Sequence, residues 1–255
     1  NLGGAALGTL LIFLVVPIPL QFACIGLGFI FVALIAARSI PRDSGMSVTE
    51  DMTTQEIATL PTKEEKRKAM RDPRALTISF IVLGFALAEG AASAWLPISL
   101  TATGMSDTAA AGCYTMFAAA MAIARLTGGR IVDRFGRSKL LLVLGMVAIT
   151  GIVTVMLTNV IHMPYLGAFL WGLGCSLGFP LCVSAITDEK RFAQSRVQMI
   201  FLTANFAGLT GPPVLGGIGQ LFGLFTAFGL PVTLMIGGLF ANKATRPIEF
   251  VDARR

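Results

Sequence analysis

Long apolar runs, separated by short polar breaks, dominate the chain. Eight stand at about 1–16, 18–37, 75–98, 108–128, 139–159, 164–186, 197–221 and 223–242. Most approach the roughly 20 residues that an α-helix needs to cross the hydrocarbon core of a bilayer. Inside lipid every backbone N–H and C=O must be satisfied within the protein, which leaves helices or a closed barrel. Barrel strands alternate polar and apolar positions over about ten residues, and these runs do not. The pattern predicts an all-α, polytopic membrane helical bundle. Pro17 and Pro19 separate the first two segments, the stretch from Asn159 to Pro164 the fifth and sixth, and Gly223 marks the last hairpin. The opening run is too short to span unaided and has no basic region before it, so it reads as a helix cut in its middle and not as a signal peptide.

Between the second and third segments, residues 38–74 form a polar linker of mixed charge. Thr62 and Glu65 have capping-box spacing, and Glu64 and Lys68 stand at i,i+4, so a short surface helix is expected over about 62–71. Pro73 discourages its extension into the next span. The linker is either a solvated connector or a site where Lys66, Arg67, Lys68 and Arg71 meet anionic lipid headgroups.

The chain carries 20 Lys and Arg against 14 Asp and Glu, a net charge of +6. The basic residues fall in 38–74, 125–139, 190–196 and the tail from Lys243. With eight helices, all four regions lie on one side, and the connections on the other side hold only Asp107. By the positive-inside rule the basic side is cytoplasmic. Topology therefore explains the charge, and no interleaving of basic and aromatic residues points to nucleic acid. Only 13% of residues are charged, against about 25% in soluble domains. Cys24, Cys113, Cys175 and Cys182 all lie in apolar runs without CxxC spacing, and His162 is the only histidine. That argues against a metal site or a disulfide framework. No histidine lies within a span, no intramembrane Asp residues pair, and no P-loop is present, so an enzyme or an ATP-driven pump is not expected. No cofactor is implied.

Between the fourth and fifth segments stands GGRIVDRFGRSK, residues 128–139. It reads as a tight cytoplasmic turn. Gly129 permits close backbone approach, Asp133 can cap a helix or pair with an arginine, and Gly136 can adopt a turn conformation denied to other residues. The stretch resembles the signature loop of the major facilitator superfamily at Gly129, Asp133, Arg134, Gly136 and Arg137, with Ile131 where Leu is frequent. In that family the loop lies between helices 2 and 3, recurs between helices 8 and 9, and helps lock the cytoplasmic gate. The linker then corresponds to the family's central loop, and the eight segments to family helices 5 to 12. The resemblance implies the last two helices of an N-terminal half at 1–37, a central loop at 38–74, a C-terminal six-helix half at 75–243 and a cytoplasmic tail at 244–255. A narrower resemblance, carried by Ala88-Glu89-Gly90-Ala91 with Trp95 and by the run from Phe117 to Arg125, is to bacterial proteins near fucose-type sugar permeases and rhizopine-associated membrane proteins. Members of that branch commonly have Asp before the Trp, where this chain has Ala94.

Several polar residues lie within the spans. Glu89 sits at a depth where an ionised carboxylate costs about 2.5–3.5 kcal/mol. It is either a proton-coupling or substrate-binding acid, or a protonated acid hydrogen-bonded between helices. The nearest basic residue in sequence is Arg74, so protonation in at least one state is expected. Arg125 either snorkels to the cytoplasmic surface or pairs with Asp133 or another gate acid. Asn205 is an interhelical hydrogen-bond partner or a cavity ligand. Trp95 and Trp171 line a sugar-sized cavity, or Trp95 belongs to an interfacial aromatic belt. Gly208, Gly211, Pro212, Pro213, Gly216 and Gly217 form a bending element in the seventh segment.

The expected function is secondary transport of a small solute by alternating access, driven by an ion gradient, with protons as one candidate, or by the solute gradient itself. The expected location is the bacterial inner membrane, with a cytoplasmic C-terminus. The substrate, the lipid bilayer and helices preceding Asn1 are its expected partners, and the complete protein is expected to be a monomer. A truncated, non-transporting scaffold or sensor is the alternative.

Overall fold

The computed structural model describes residues 62–247 and Gly26, Leu27, Ile30, Phe31, Leu34, Ile35 and Arg38. The expectations for segments 1–16 and 18–37 as whole spans, for the linker up to residue 61 and for the tail from residue 248 lie outside the described residues.

Helix α1 spans Lys63–Met70 and α2 Pro73–Thr101, followed by α3 (Asp107–Phe135) and α4 (Arg137–Met156). The single turn α5 (Thr158–Ile161) leads into α6 (Pro164–Cys175) and α7 (Gly178–Ile186). Helix α8 runs Ala193–Phe222, and α9 (Leu224–Ala227) and α10 (Gly229–Phe240) close the bundle. Five helical stretches, Pro73–Thr101, Asp107–Phe135, Arg137–Met156, Pro164–Ile186 and Lys190–Phe222, are long and apolar enough to cross a membrane. The sixth, Leu224–Phe240, is shorter. No strand occurs among the described residues.

Local chemistry sets the boundaries. The Thr62 hydroxyl accepts from the Glu65 N–H at 3.3 Å and the Thr62 N–H donates to the Glu65 carboxylate at 2.8 Å, closing the expected capping box. Glu65 also pairs with Arg191 at 2.9 Å, whereas the expected Glu64–Lys68 pair does not form. Pro73 opens α2, where its missing N–H costs nothing. Ser106 caps α3 by accepting from the Ala109 N–H at 3.3 Å. Gly223 ends α8 at φ 93°, a left-handed value that glycine adopts without strain.

The loop motif differs from expectation. Helix α3 continues through most of it to Phe135, and only Gly136, at φ 76°, turns the chain. The glycine in close contact is Gly128, where a Cβ would lie 2.7 Å from the Leu177 side chain; Gly129 has open space beside it. The predicted span 164–186 is also interrupted, at Ser176 and Leu177.

Helix α2 is the central element and packs against α3, α7, α8 and α10. Its small residues Ala88, Ala91 and Ala92 are fully buried. The closest pairing is α4 on α6. There a Cβ on Gly151 would collide with the Trp171 backbone N, and one on Gly174 with the backbone of Ala148. Small residues bring helix backbones together in lipid, where no hydrophobic force separates protein from solvent. Leu126, Leu209, Leu221 and Phe240 are each more than 75% exposed, as lipid-facing side chains would be. Gly174→Ala is expected to destabilise at the upper end of the roughly 1–3 kcal/mol that overpacking costs, because backbone and not a side chain must move. Gly217→Ala meets nothing within 4 Å and should be neutral or slightly stabilising. Detergent-solubilised melting temperatures of the two variants check the contrast; equal values would contradict the packing.

Candidate functional site

The six ion pairs among the described residues divide sharply. Five gather at the basic end of the bundle. The sixth, Glu89 with Arg125 at 3.5 Å, stands inside it. Both residues lie ten or more positions, roughly 15 Å, from either end of their helices.

Glu89 on α2 and Arg125 on α3 line a cavity of about 320 Å³. Phe85, Gly90 and Ser93 contribute from α2, Tyr114 and Phe117 from α3, Cys175 and Phe179 from the broken α6–α7 segment, and Ala204, Asn205 and Gly208 from α8. Gly90 and Gly208 border its open space, where a Cβ would meet no described group within 4 Å.

The break in α6–α7 positions the arginine. In an unbroken helix the Ser176 carbonyl would accept from residue 180, but Pro180 has no N–H to give. The Ser176 carbonyl is therefore free, and the Arg125 Nε–H donates to it at 3.0 Å. An orphaned backbone acceptor in lipid costs several kcal/mol, so this bond satisfies the break and aims the guanidinium at once. The Ser176 hydroxyl turns back to the Leu173 carbonyl at 2.6 Å.

The structure corrects two expectations here. Glu89 does have a cationic partner, from a neighbouring helix. Arg125 does not reach Asp133, which lies eight residues further along the same helix, about 12 Å away. Asn205 shares the cavity, and the two tryptophans do not line it. Trp171 is fully buried, edge-on to Phe117 at 5.9 Å and Phe228 at 5.3 Å, and is a core residue. Trp95 packs over Gly216, where a Cβ would lie 2.8 Å from its ring, and donates its indole N–H to the Pro212 carbonyl at 3.1 Å. It thus braces α8 at the Pro212–Pro213 pair. Tyr114, Ser93 and the Ser176 carbonyl were missed by sequence reasoning; only Pro180 signalled the last.

At the basic end, Asp188 joins three elements. Arg74 donates to its carboxylate at 2.8 Å, and Arg137 binds both its oxygens, one of them at 2.7 Å. Arg137 also donates to the Thr245 carbonyl at 2.6 Å and the Ser184 carbonyl at 3.2 Å, and Arg74 to the Ala244 carbonyl at 2.9 Å. Burial opposes the charge on Asp188, yet hydrogen bonds and charges from Arg137 and Arg74 outweigh it and hold the carboxyl below its ordinary value. Beside it, Arg196 pairs with Glu189 at 2.8 Å and Asp72 at 3.3 Å, docking the end of α1 on α8. Of the loop motif only Arg137 takes part. Asp133 and Arg134 are exposed, and Arg134 lies over the Phe135 ring at 5.6 Å.

A further recess of about 480 Å³ lies at the opposite end, beside His162 and Tyr165, and no acid or arginine lines it among the described residues. Cys113, Cys175 and Cys182 are buried thiols, and no three of His, Cys, Asp and Glu come together among the described residues.

Apolar helices of membrane-crossing length, with a charged cavity among them, define a multi-pass integral membrane protein. The chain belongs to the Major Facilitator Superfamily, whose family model matches residues 1–212 and again 78–249. A protein of Yersinia pestis named as an MFS-type transporter is 33% identical over 161 residues, covering 62% of this chain and 42% of that protein. A protein of Sinorhizobium fredii named as a transporter is 28% identical over 166 residues, covering 64% of this chain and 42% of that protein. The chain thus spans less than half the length of the curated relatives it matches.

Proposed function

We propose that this chain is part of a secondary transporter that moves a small solute by alternating access, with Glu89 as its proton-coupling acid. The observation that carries this reading is the Glu89–Arg125 pair on a cavity deep in the bundle. Charged side chains at such depth are costly and are kept where they face a cavity or a partner; here they face both. Membership of a transport family and the names of two relatives agree with it.

In this reading the basic end faces the cytoplasm. The Asp188 cluster fastens α2, α4, the end of α7 and the segment after α10 into one unit there, so that this half of the molecule moves as a body. The cavity is the binding site near the midplane. Proteoliposomes containing the complete encoded protein test the activity. Solute uptake driven by an imposed pH gradient, lost when the gradient is collapsed, is the expected result, and its absence across a broad solute panel would leave the scaffold reading in its place.

Orientation has its own test. Cysteines introduced at Ser44 and at Ala253 should stay unlabelled when an impermeant thiol reagent is added to intact cells. Efficient labelling of either would reverse the assignment.

A further inference from the structure

Resting on the transport reading above, we propose that the cavity takes a small organic monocarboxylate, its carboxylate on Arg125 and its co-transported proton on Glu89. Arg125 is held from behind by the Ser176 carbonyl at 3.0 Å and touches Glu89 only at 3.5 Å, through Nη2. Its Nη1 has no partner among the described residues, and its side chain is 42% exposed and lines the cavity. A guanidinium fixed at Nε with its Nη edge open is the fork that binds a carboxylate through two parallel hydrogen bonds.

Charge balance then selects the ligand. Around Glu89, α3 presents Arg125 and Tyr114, the α6–α7 segment presents Cys175 and Phe179, and α8 presents Asn205. Among the described residues, Glu89 is the one acid and Arg125 the one cation lining the cavity. Empty, the site is a neutral pair. A carboxylate entering alone would bring a net negative charge into the bundle. A proton on Glu89 alone would leave a net positive one. The two together restore neutrality, so the empty and loaded sites avoid the cost of a net charge at membrane depth. The proton passes from water to the Glu89 carboxylate and leaves with the anion, and no covalent bond of the ligand changes. A neutral sugar offers the proton no such role, because it leaves the Glu89–Arg125 pair intact.

The test is equilibrium binding of radiolabelled gluconate, lactate and benzoate to the complete encoded protein in detergent. Sorbitol and glucose serve as neutral counterparts of gluconate. At least one carboxylate should bind, and about tenfold more tightly per unit fall in pH where the proton is taken up with it. Arg125→Lys should weaken it tenfold or more, and Arg125→Gln should abolish it. Glu89→Gln should keep the binding but remove its pH dependence. Circular dichroism and size exclusion check folding, and the charge-conserving Arg125→Lys carries the argument should Arg125→Gln misfold. Sorbitol or glucose binding as well as gluconate, no carboxylate binding at all, or carboxylate binding untouched in Arg125→Gln each overturns the proposal. Carboxylate binding without flux in proteoliposomes supports the site and sinks the transport reading. Flux of a neutral solute without carboxylate binding does the reverse.

Discussion

Glu89→Gln is expected to abolish accumulation of solute against its gradient while leaving exchange down a gradient intact. The amide mimics the protonated acid in shape and charge, so the loaded site is reproduced. What is lost is proton release. Without it the empty site keeps the uncompensated Arg125 charge, and the return step is opposed by the cost of that charge in the bundle, a few kcal/mol on insertion scales. A rise of about 2.7 kcal/mol in the return barrier would slow that step about a hundredfold. The measurement is paired: pH-driven uptake into empty vesicles, and counterflow into vesicles preloaded with the same solute. Loss of the first with survival of the second is the expected result. Accumulation that still follows pH in Glu89→Gln would remove the coupling role. Equal loss of both, with a depressed melting temperature, would reduce Glu89 to a structural partner of Arg125.

Asp188→Asn should be the most destabilising change at the basic end. Asp188, Arg74 and Arg137 have side chains only 16%, 20% and 11% exposed. Removing the carboxylate leaves two neighbouring, largely buried guanidinium groups without their counter-ion. Breaking such a pair costs roughly 3 kcal/mol or more. Glu65→Gln is the control, because its pair with Arg191 is exposed on both sides and surface pairs contribute little. The pH dependence follows from the depressed carboxyl of Asp188. A group whose folded pKa is lowered stabilises at every pH above its unfolded value of about 3.9 and loses that contribution as pH falls through the folded value. The wild type should therefore hold a constant margin over Asp188→Asn from about pH 5 to 8, and the margin should shrink in stronger acid. Thermal unfolding in detergent across that range measures it. A variant as stable as the wild type at neutral pH would show that the two arginines find other partners.

Much of the molecule is written locally in the chain. Apolar runs of membrane length give the helices from α2 onward, because backbone groups in lipid have no partner outside their own segment. The Thr62–Glu65 capping box, the Pro73 start and the turns at Gly136 and Gly223 are set by the chemistry of one or two residues. The loop motif led correctly to the family, although its residues are mostly helical and Gly128, not Gly129, makes the close contact. Glu89 was legible as a site candidate because a carboxylate in an apolar run is expensive wherever the run folds.

Its partner was not legible. Arg125 lies 36 positions away on another helix, and only the packing of α3 beside α2 brings the two within 3.5 Å. Local sequence drew Arg125 toward Asp133, yet an unbroken helix holds those two residues apart. Trp171 looked like a cavity residue because an aromatic in a span has two possible neighbours, ligand or core, and only contact with Phe117 and Phe228 decides between them. Asp188 sat in an ordinary loop, with nothing beside it to suggest that Arg74 and Arg137 would converge there. The sequence by itself determined the helices and the cost of each buried charge, both of which depend on a residue and its near neighbours. The tertiary structure alone decided which charges meet, because that depends on which helix faces lie together.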